Sequence, residues 1–282
     1  MERVASPPTP PQRNYPQGLN AAARLRAIGW GTISLASIAG FLLAWEIFAR
    51  SGAVTMFMLP PFSAVVERII KDASTGTLWF NIGVTLYRAL LGFFIAAIGG
   101  VLLGMAMSVN STMRWFFNPI ISIGFPMPKI AFLPVVILWL GVYDVAKITM
   151  VVLDAIFPVV TATLAGLQAV ERTLIWSARN MGASRNQLLW QISLPAALPQ
   201  IITGLQVALP IALIVEIVAE MLMGGYGLGG NMMQASRYAD SRGVFAGIVE
   251  IAVVGYVLVK LATWLRRWLL RWHQEAQAPS TV

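Results

Sequence analysis

Ile82 to Met107, reading I-G-V-T-L-Y-R-A-L-L-G-F-F-I-A-A-I-G-G-V-L-L-G-M-A-M, decides the fold class. Arg88 is its one charged residue. At about 1.5 Å rise per residue a helix needs roughly 20 apolar residues to cross hydrocarbon, and this run suffices. Comparable runs cover Ile28 to Ile47, Phe116 to Leu140, Ile148 to Leu167, Ile201 to Met223 and Val244 to Trp264. Membrane-spanning strands would show short alternating segments, and these runs do not alternate. The expected architecture is an all-α membrane protein of about six transmembrane helices. Composition agrees: 57% of the 282 residues are hydrophobic and 11% charged, with a mean hydropathy of +0.72, far from the balance of a soluble domain.

Within the opening run Gly92, Ala96, Gly100 and Gly104 recur every fourth residue, and Gly100 with Gly104 makes a G-x-x-x-G pair. Such a stripe lets another helix approach closely, within one chain or across a dimer seam. Upstream, V-V-E-R-I-I-K-D (Val65 to Asp72) separates apolar from charged residues at helical spacing. It reads as a short amphipathic helix at the membrane interface, a plain anchor or a docking surface.

The ends of the chain read as tails. Residues 1–27, with S-P-P-T-P-P-Q-R, have no apolar periodicity and are expected to be a disordered cytoplasmic tail. Residues 28–264 are expected to form the membrane domain, and 265–282 a basic cytoplasmic tail. No small-residue cleavage site follows Ile47, which argues against a signal peptide. With the N-terminus inside, Arg3, Arg13, Arg24, Arg26, Arg114, Arg172, Arg179, Arg185, Arg266, Arg267 and Arg271 fall in the cytoplasm. Arg50, Arg68, Lys71, Arg237 and Arg242 fall outside, as the positive-inside bias requires. The net charge of +8 is then topology rather than a nucleic-acid surface, since the basic residues are scattered over loops. Cysteine is absent and the only His is His273, which excludes thiol chemistry, Cys-ligated metals and a Ser, His and Asp triad.

Between the fourth and fifth runs lies S-A-R-N-M-G-A-S-R-N-Q-L-L-W-Q-I-S-L-P, Ser177 to Pro195, polar, basic and helix-capable. A helix over about Arg172 to Met181, a turn at Gly182 and a second helix capped by Ser184 with Gln187 reciprocating make a helical hairpin. Pro195 is expected to stop that second helix. Ala178, Gly182 and Ala183 leave room for another backbone to come close, with Arg179 and Arg185 beside them.

The spacing of Ala178, Gly182, Ile192, Leu194 and Pro195 resembles the EAA loop of ATP-binding-cassette import permeases. Four further stretches carry the likeness from Leu59 onward: L-P-P-F-S-A-V (Leu59 to Val65), P-K-I-A-F-L-P-V-V-I-L-W-L-G (Pro128 to Gly141), P-A-A-L-P-Q-I-I-T-G-L (Pro195 to Leu205) and G-Y-G-L-G (Gly225 to Gly229). Together they are similar to the nitrate/sulfonate/taurine branch. The family's opening Glu is Trp176 here, and Ser177 replaces the first Ala. The resemblance implies a type I importer fold, a homodimer, two separate ATPase subunits, an extracytoplasmic solute-binding protein and a small, anionic solute. It makes residues 171–199, with Ser177, Ala178, Gly182, Ala183, Ile192, Leu194 and Pro195, the loop that couples to the ATPase. No G-x-x-x-x-G-K-[S/T] occurs, so the chain has no phosphate cradle of its own and ATP belongs to the partner. Gly225, Gly227 and Gly230 satisfy G-x-G-x-x-G but follow an apolar helix rather than a strand, and read as a flexible or close-packed turn.

Ionisable residues inside spans are candidates for function. Glu216 and Glu220 share a helix face, Asp154 lies in the fourth run, Glu250 in the sixth, Arg88 in the second and Lys129 in a third run broken by Pro119, Pro126, Pro128 and Pro134. Prolines free backbone carbonyls that only a protein-lined or watery path tolerates, so this segment is expected to border the translocation route with Lys129, Asp154, Glu216 and Glu220. Lys129 either offers charge to an anionic solute or pairs internally with Glu216, Glu220 or Asp154; the internal pair is the plainer reading. Paired carboxylates also suggest an intramembrane hydrolase or metal site, but H-E-x-x-H is missing. An ion-gradient-driven secondary transporter is the remaining alternative, for which internal repeats would be expected and none is evident.

Overall fold

The computed structural model describes residues 36–271, and these are helical with no strand. The expected tail 1–27, residues 28–35 of the first apolar run and His273 lie outside the described residues. The described chain divides into two units, one up to Phe62 and one from Ser63. In the first, helix α1 spans 36–50, and Trp45 donates its Nε1–H to the Pro60 carbonyl at 3.0 Å.

The second unit contains α2 from Ser63 to Ser74, part of a helix that begins at Phe62, then α3 (Thr77–Val109) and α4 (Ser111–Gly124). A 3-10 turn at Lys129–Phe132 leads to α5 (Leu133–Leu140) and α6 (Asp144–Gln168). The remainder is α7 (Arg172–Asn180), the single turn α8 (Arg185–Gln187), a π-helical stretch Leu188–Ser193, α9 (Leu194–Met223), α10 (Leu228–Arg237) and α11 (Ser241–Leu269). The basic tail expected from residue 265 thus begins inside α11.

Four helical runs among the described residues are long and apolar enough to cross a membrane, Thr77–Val109, Asp144–Gln168, Arg185–Arg237 and Ser241–Leu269. A fifth crossing exists if the pieces Ser111–Gly124 and Lys129–Leu140, bent by 96°, count as one. The expected six is therefore not matched within the described residues, and the expected first run lies partly outside them. The single third run is instead two short helices. Pro126 and Pro128 cannot donate to a helical ladder, so the chain turns there.

The core centres on α6, which packs along α3 on one side and α9 on the other. The glycine stripe makes the first of these contacts within the chain. A Cβ on Gly92 would meet Val151 at 2.6 Å, one on Gly100 would meet Val159 at 2.8 Å and one on Gly104 would meet Thr163 at 2.7 Å. Ala96 and Ala155, between them, are fully buried. Two ridges of four-residue period thus lie against one another with residue numbers rising together, which makes α3 and α6 parallel. The chain between them must recross the layer, and the bent α4–α5 pair does so. Gly204 faces Ala162 and Gly166 faces Ala197, so α9 runs antiparallel to α6; Arg266 reaches Gln206 while Gly255 meets Leu213, so α11 is antiparallel to α9. Outward faces stay apolar, with Phe94, Ile98, Leu102, Ile214, Val253 and Val257 half or more exposed apart from their neighbours, as lipid contact demands.

Candidate functional site: a helical elbow and a buried charge cluster

This topology sorts the polar features to the two ends of one bundle. Residues 169–193 join the end of α6 to the start of α9, beside the end of α3 and of α11. Arg114, Arg172, Arg179, Arg185, Arg266, Arg267 and Arg271 gather at this end; Arg68, Lys71, Arg237 and Arg242 belong to the other. From Leu194 to Glu220 α9 advances about 39 Å, so the loop and the buried carboxylates are separated by the bundle's length.

At the loop, α7 ends in a full Schellman turn. The Gly182 N–H bonds the Arg179 carbonyl at 2.9 Å and the Ala183 N–H bonds the Ala178 carbonyl at 3.1 Å. Gly182 has φ +86°, and a Cβ there would meet nothing within 4 Å, so backbone conformation and not space requires glycine. The next turn opens on a capping box: the Gln187 N–H donates to Ser184 Oγ at 3.3 Å and the Ser184 N–H to Gln187 Oε1 at 2.8 Å. Two details differ from expectation. Pro195 does not stop a helix but sits in the first turn of α9, because the π-helical stretch just ahead absorbs its missing N–H and ring. Ala178 is 4% exposed and faces inward, so it anchors the elbow while Gly182 lies open and Ser177 and Pro195 are exposed. Ile192 and Leu194 are half-buried, whereas Trp176, Met181 and Trp190 stand in solvent with Arg179 and Arg185. Trp190 was not singled out from sequence, and Trp176 only as the residue standing where the family has Glu.

At the far end Asn81, Thr85 and Arg88 share a face of α3, Asp144 and Lys147 open α6, and Glu216 and Glu220 close α9. Thr85 Oγ1 donates to Glu220 Oε1 at 2.9 Å and accepts the Leu228 N–H at 2.9 Å. The Gly229 N–H donates to Glu220 Oε2 at 3.0 Å and the Gly227 N–H to Asn81 Oδ1 at 3.0 Å. Arg88 Nη1 reaches Glu220 at 3.1 Å and the Tyr226 carbonyl at 2.8 Å, while Nη2 takes Asp144 at 2.6 Å. Lys147 Nζ donates to the Gly224 carbonyl at 2.7 Å. Every one of these partners is held by a group buried below the surface, where hydrogen bonds to charges are worth about 1.5–3 kcal/mol net. The turn 224–229 is therefore a clasp tied to three helices. At Gly227, φ +121°, any side chain would run into the Glu220 carboxyl. Of the two turn readings, close packing is the one found.

Lys129 and Asp154 meet at 2.9 Å, about 10 Å further along α6 than Lys147. The lysine also donates to the Phe125 carbonyl at 2.9 Å and lies 4.7 Å above the Phe157 ring. An apolar groove of about 600 Å³, edged by Pro119, Ile123, Phe132, Trp139 and Phe157, opens beside it. So the four path candidates form two separate pairs, not one site. Asp144 and Lys147 were missed because they sit just before the apolar run from Ile148, where spacing alone reads as loop. Among the described residues no group of three or more His, Cys, Asp or Glu is placed to hold a metal ion.

A third cluster ties α2 to the start of α11. Arg68 bonds Asp72 at 2.9 Å and Asp240, and Asp240 accepts the Gly243 N–H at 3.0 Å as the cap of α11. Burial works against the Asp240 charge, but the Gly243 N–H and Arg68 outweigh it and hold the carboxyl below its ordinary range. Burial is the largest single influence on Arg68 and works against its charge, but the hydrogen bonds and charges of Asp72 and Asp240 together outweigh it, so its proton is held more firmly than usual.

Known proteins are similar to this one in sequence and in fold. Residues 96–272 match the family described as binding-protein-dependent transport system inner membrane component. The taurine transport system permease protein TauC of Escherichia coli (strain K12) is 34% identical over 251 residues, 87% of this chain and 91% of its own. The putative aliphatic sulfonates transport permease protein SsuC of Bacillus subtilis (strain 168) is 32% identical over 81% of this chain and 83% of its own. The bicarbonate transport system permease protein CmpB of Synechococcus elongatus is 29% identical over 85% and 89% respectively. Among solved structures, a chain of the methionine ABC transporter MetNI in inward-facing conformations superposes with a TM-score of 0.51 at 19% identity, covering 67% of this chain and 94% of that one.

Proposed function

The chain belongs to the binding-protein-dependent transport system inner membrane component family, as an importer permease of the nitrate/sulfonate/taurine branch, and on that premise we propose how it works. It is a multi-pass inner-membrane subunit of a transporter that uses a separate ATPase and a solute-binding protein. Two copies pair and take two ATPase subunits. The loop 171–199 lies in the cytoplasm and receives the ATPase stroke, with both chain termini on the same side. The path runs past Lys129 and Asp154 at the bent segment and ends at the Glu216 and Glu220 clasp. The solute is a small anion of the sulfonate, taurine or nitrate kind, drawn from the relatives named for taurine and aliphatic sulfonates.

The observation that carries this reading is the elbow at Gly182. A Schellman turn and a capping box back to back fix two short helices at the end of the bundle where the arginines gather, and present Trp176, Met181 and Trp190 to a partner. Loops that only connect spans have no need of such ordering. A separate cytoplasmic ATPase subunit cradling ATP on its own P-loop would supply what this sequence lacks. The secondary-transporter alternative finds no support in the relatives.

Reconstitution in proteoliposomes tests the proposal. The chain is combined with its ATPase subunit and with binding protein loaded in turn with taurine, an alkanesulfonate, nitrate and bicarbonate. ATP hydrolysis should rise with taurine, the alkanesulfonate or nitrate and stay basal with bicarbonate. Failure of the ATPase to copurify, or solute uptake that follows an ion gradient and ignores vanadate, would overturn it.

A further inference from the structure

Glu216 is fully buried, and neither of its carboxyl oxygens has a hydrogen-bond partner. Its nearest cation, Arg88 Nη1, stands at 3.9 Å. Glu220, one turn away and equally buried, accepts from Thr85, Arg88 and the Gly229 N–H. The contrast between two neighbouring carboxyls in one cluster calls for a chemical reason. A buried carboxylate with no donor costs several kcal/mol, whereas a carboxylic acid brings a donor of its own.

Charge balance points the same way. The groups that face Glu216 are Arg88 from α3, Lys147 from α6 and Glu220 on its own helix, with Asp144 joined to Arg88. Tyr226 of the clasp contributes its carbonyl and turns its ring toward Phe80. Two bases meet three acids. One bound proton makes the set neutral, and the hydrogen bonds leave only Glu216 to hold it: Glu220 is saturated with donors, and the Asp144 side chain is 54% exposed and paired.

We propose that Glu216 is a proton-binding site that is filled while the 224–229 clasp is shut and empties when the clasp lifts. Lifting removes the Gly229, Leu228 and Tyr226 contacts and admits water to the cluster. The Glu216 O–H bond then breaks, the proton passes to that water, and Lys147, freed from the Gly224 carbonyl, faces the new carboxylate. Closure reverses each step. The proton enters and leaves at one face, so no gradient is consumed. The link to clasp movement rests on the transporter reading; the occupied site in the shut state does not.

Infrared spectroscopy of the purified chain in lipid tests the site without any partner. At neutral pH the un-ionised carboxyl C=O stretch, recognised by its shift in heavy water, should be present and should vanish in the near-isosteric Glu216→Gln. Glu250, also buried with an unpartnered Oε1, is the control. No such band in the unsubstituted protein, or a band that only Glu250→Gln removes, overturns the site whether or not any variant folds. Proton counting with a pH dye in weak buffer then tests the link, using the chain assembled with its ATPase subunits. About one proton per chain should appear on nucleotide-driven switching and return on reset, and Glu216→Gln should release none. An assembly that hydrolyses ATP yet releases no proton sinks the link, while one that hydrolyses no ATP counts against the transporter reading and leaves the infrared result standing.

Discussion

Replacing Arg88 by Met keeps the volume of the side chain and removes its charge from the clasp cluster. Three contacts go at once: Glu220 at 3.1 Å, Asp144 at 2.6 Å and the Tyr226 carbonyl at 2.8 Å. Asp144 is half exposed and finds water, so its loss is minor. Glu220 has no exposure at all, and removing the partner of a buried ion pair costs about 3–5 kcal/mol. The orphaned Tyr226 carbonyl adds about 1 kcal/mol. The total, roughly 4–6 kcal/mol, is a large part of the 5–15 kcal/mol that holds a typical fold. For a chain of this size it corresponds to a fall in Tm of roughly 8–24 °C. Intrinsic fluorescence of the tryptophans during thermal unfolding in detergent reads the shift. The double variant Arg88→Met with Glu220→Gln keeps an acceptor for Thr85 and Gly229 but carries no buried charge, and should recover about 2–3 kcal/mol of the loss. A single variant that loses under about 1 kcal/mol, or a double variant no more stable than the single, would refute the account of the cluster as mutually dependent charges.

Gly182→Ala forces a side chain into φ +86° at a cost of about 1–2 kcal/mol; membrane insertion should hold and Tm should fall by only roughly 2–8 °C, while solute-stimulated ATP hydrolysis in the assembled transporter falls, and unchanged stimulation would remove the loop from the coupling path. Lys129→Met should leave the fold inserted and leave anion uptake unchanged if the Asp154 pair is its whole role; uptake that drops together with loss of an anion-concentration dependence would make it a recognition residue instead. The Arg68–Asp240 tie predicts a pH dependence with a definite sign. Because the folded carboxyl of Asp240 lies below its ordinary value, its stabilising effect is complete above about pH 4 and is lost as pH falls through the folded value. Denaturation profiles of the native chain and Asp240→Asn should therefore differ at neutral pH and converge in acid; a constant difference down to low pH would sink the assignment.

Much of this was legible in one dimension because the bilayer imposes one-dimensional rules. Run length decided that Ile82 to Met107 spans, and the four-residue recurrence of Gly92, Ala96, Gly100 and Gly104 announced a close helix contact. The elbow was legible too: Ser184 with Gln187, and a glycine at the helix end, are local signals whose geometry involves neighbours a few residues apart. The break at Pro126 and Pro128 could be foreseen, but not that it makes a 96° bend between two half-length helices, since that angle is set by what packs against it.

Sequence by itself determined that the chain is a helical membrane protein, which end carries the arginines and where a stiff loop interrupts the spans, because hydropathy, charge and capping act along the chain. Tertiary structure alone decided which helix meets the glycine stripe, why Lys129 finds Asp154 rather than Glu216, and how Asn81, Thr85, Arg88, Asp144 and Lys147 converge on a clasp more than a hundred residues away in sequence from three of them. Buried charge is stable only where partners from distant segments arrive together, and no local pattern records that arrival.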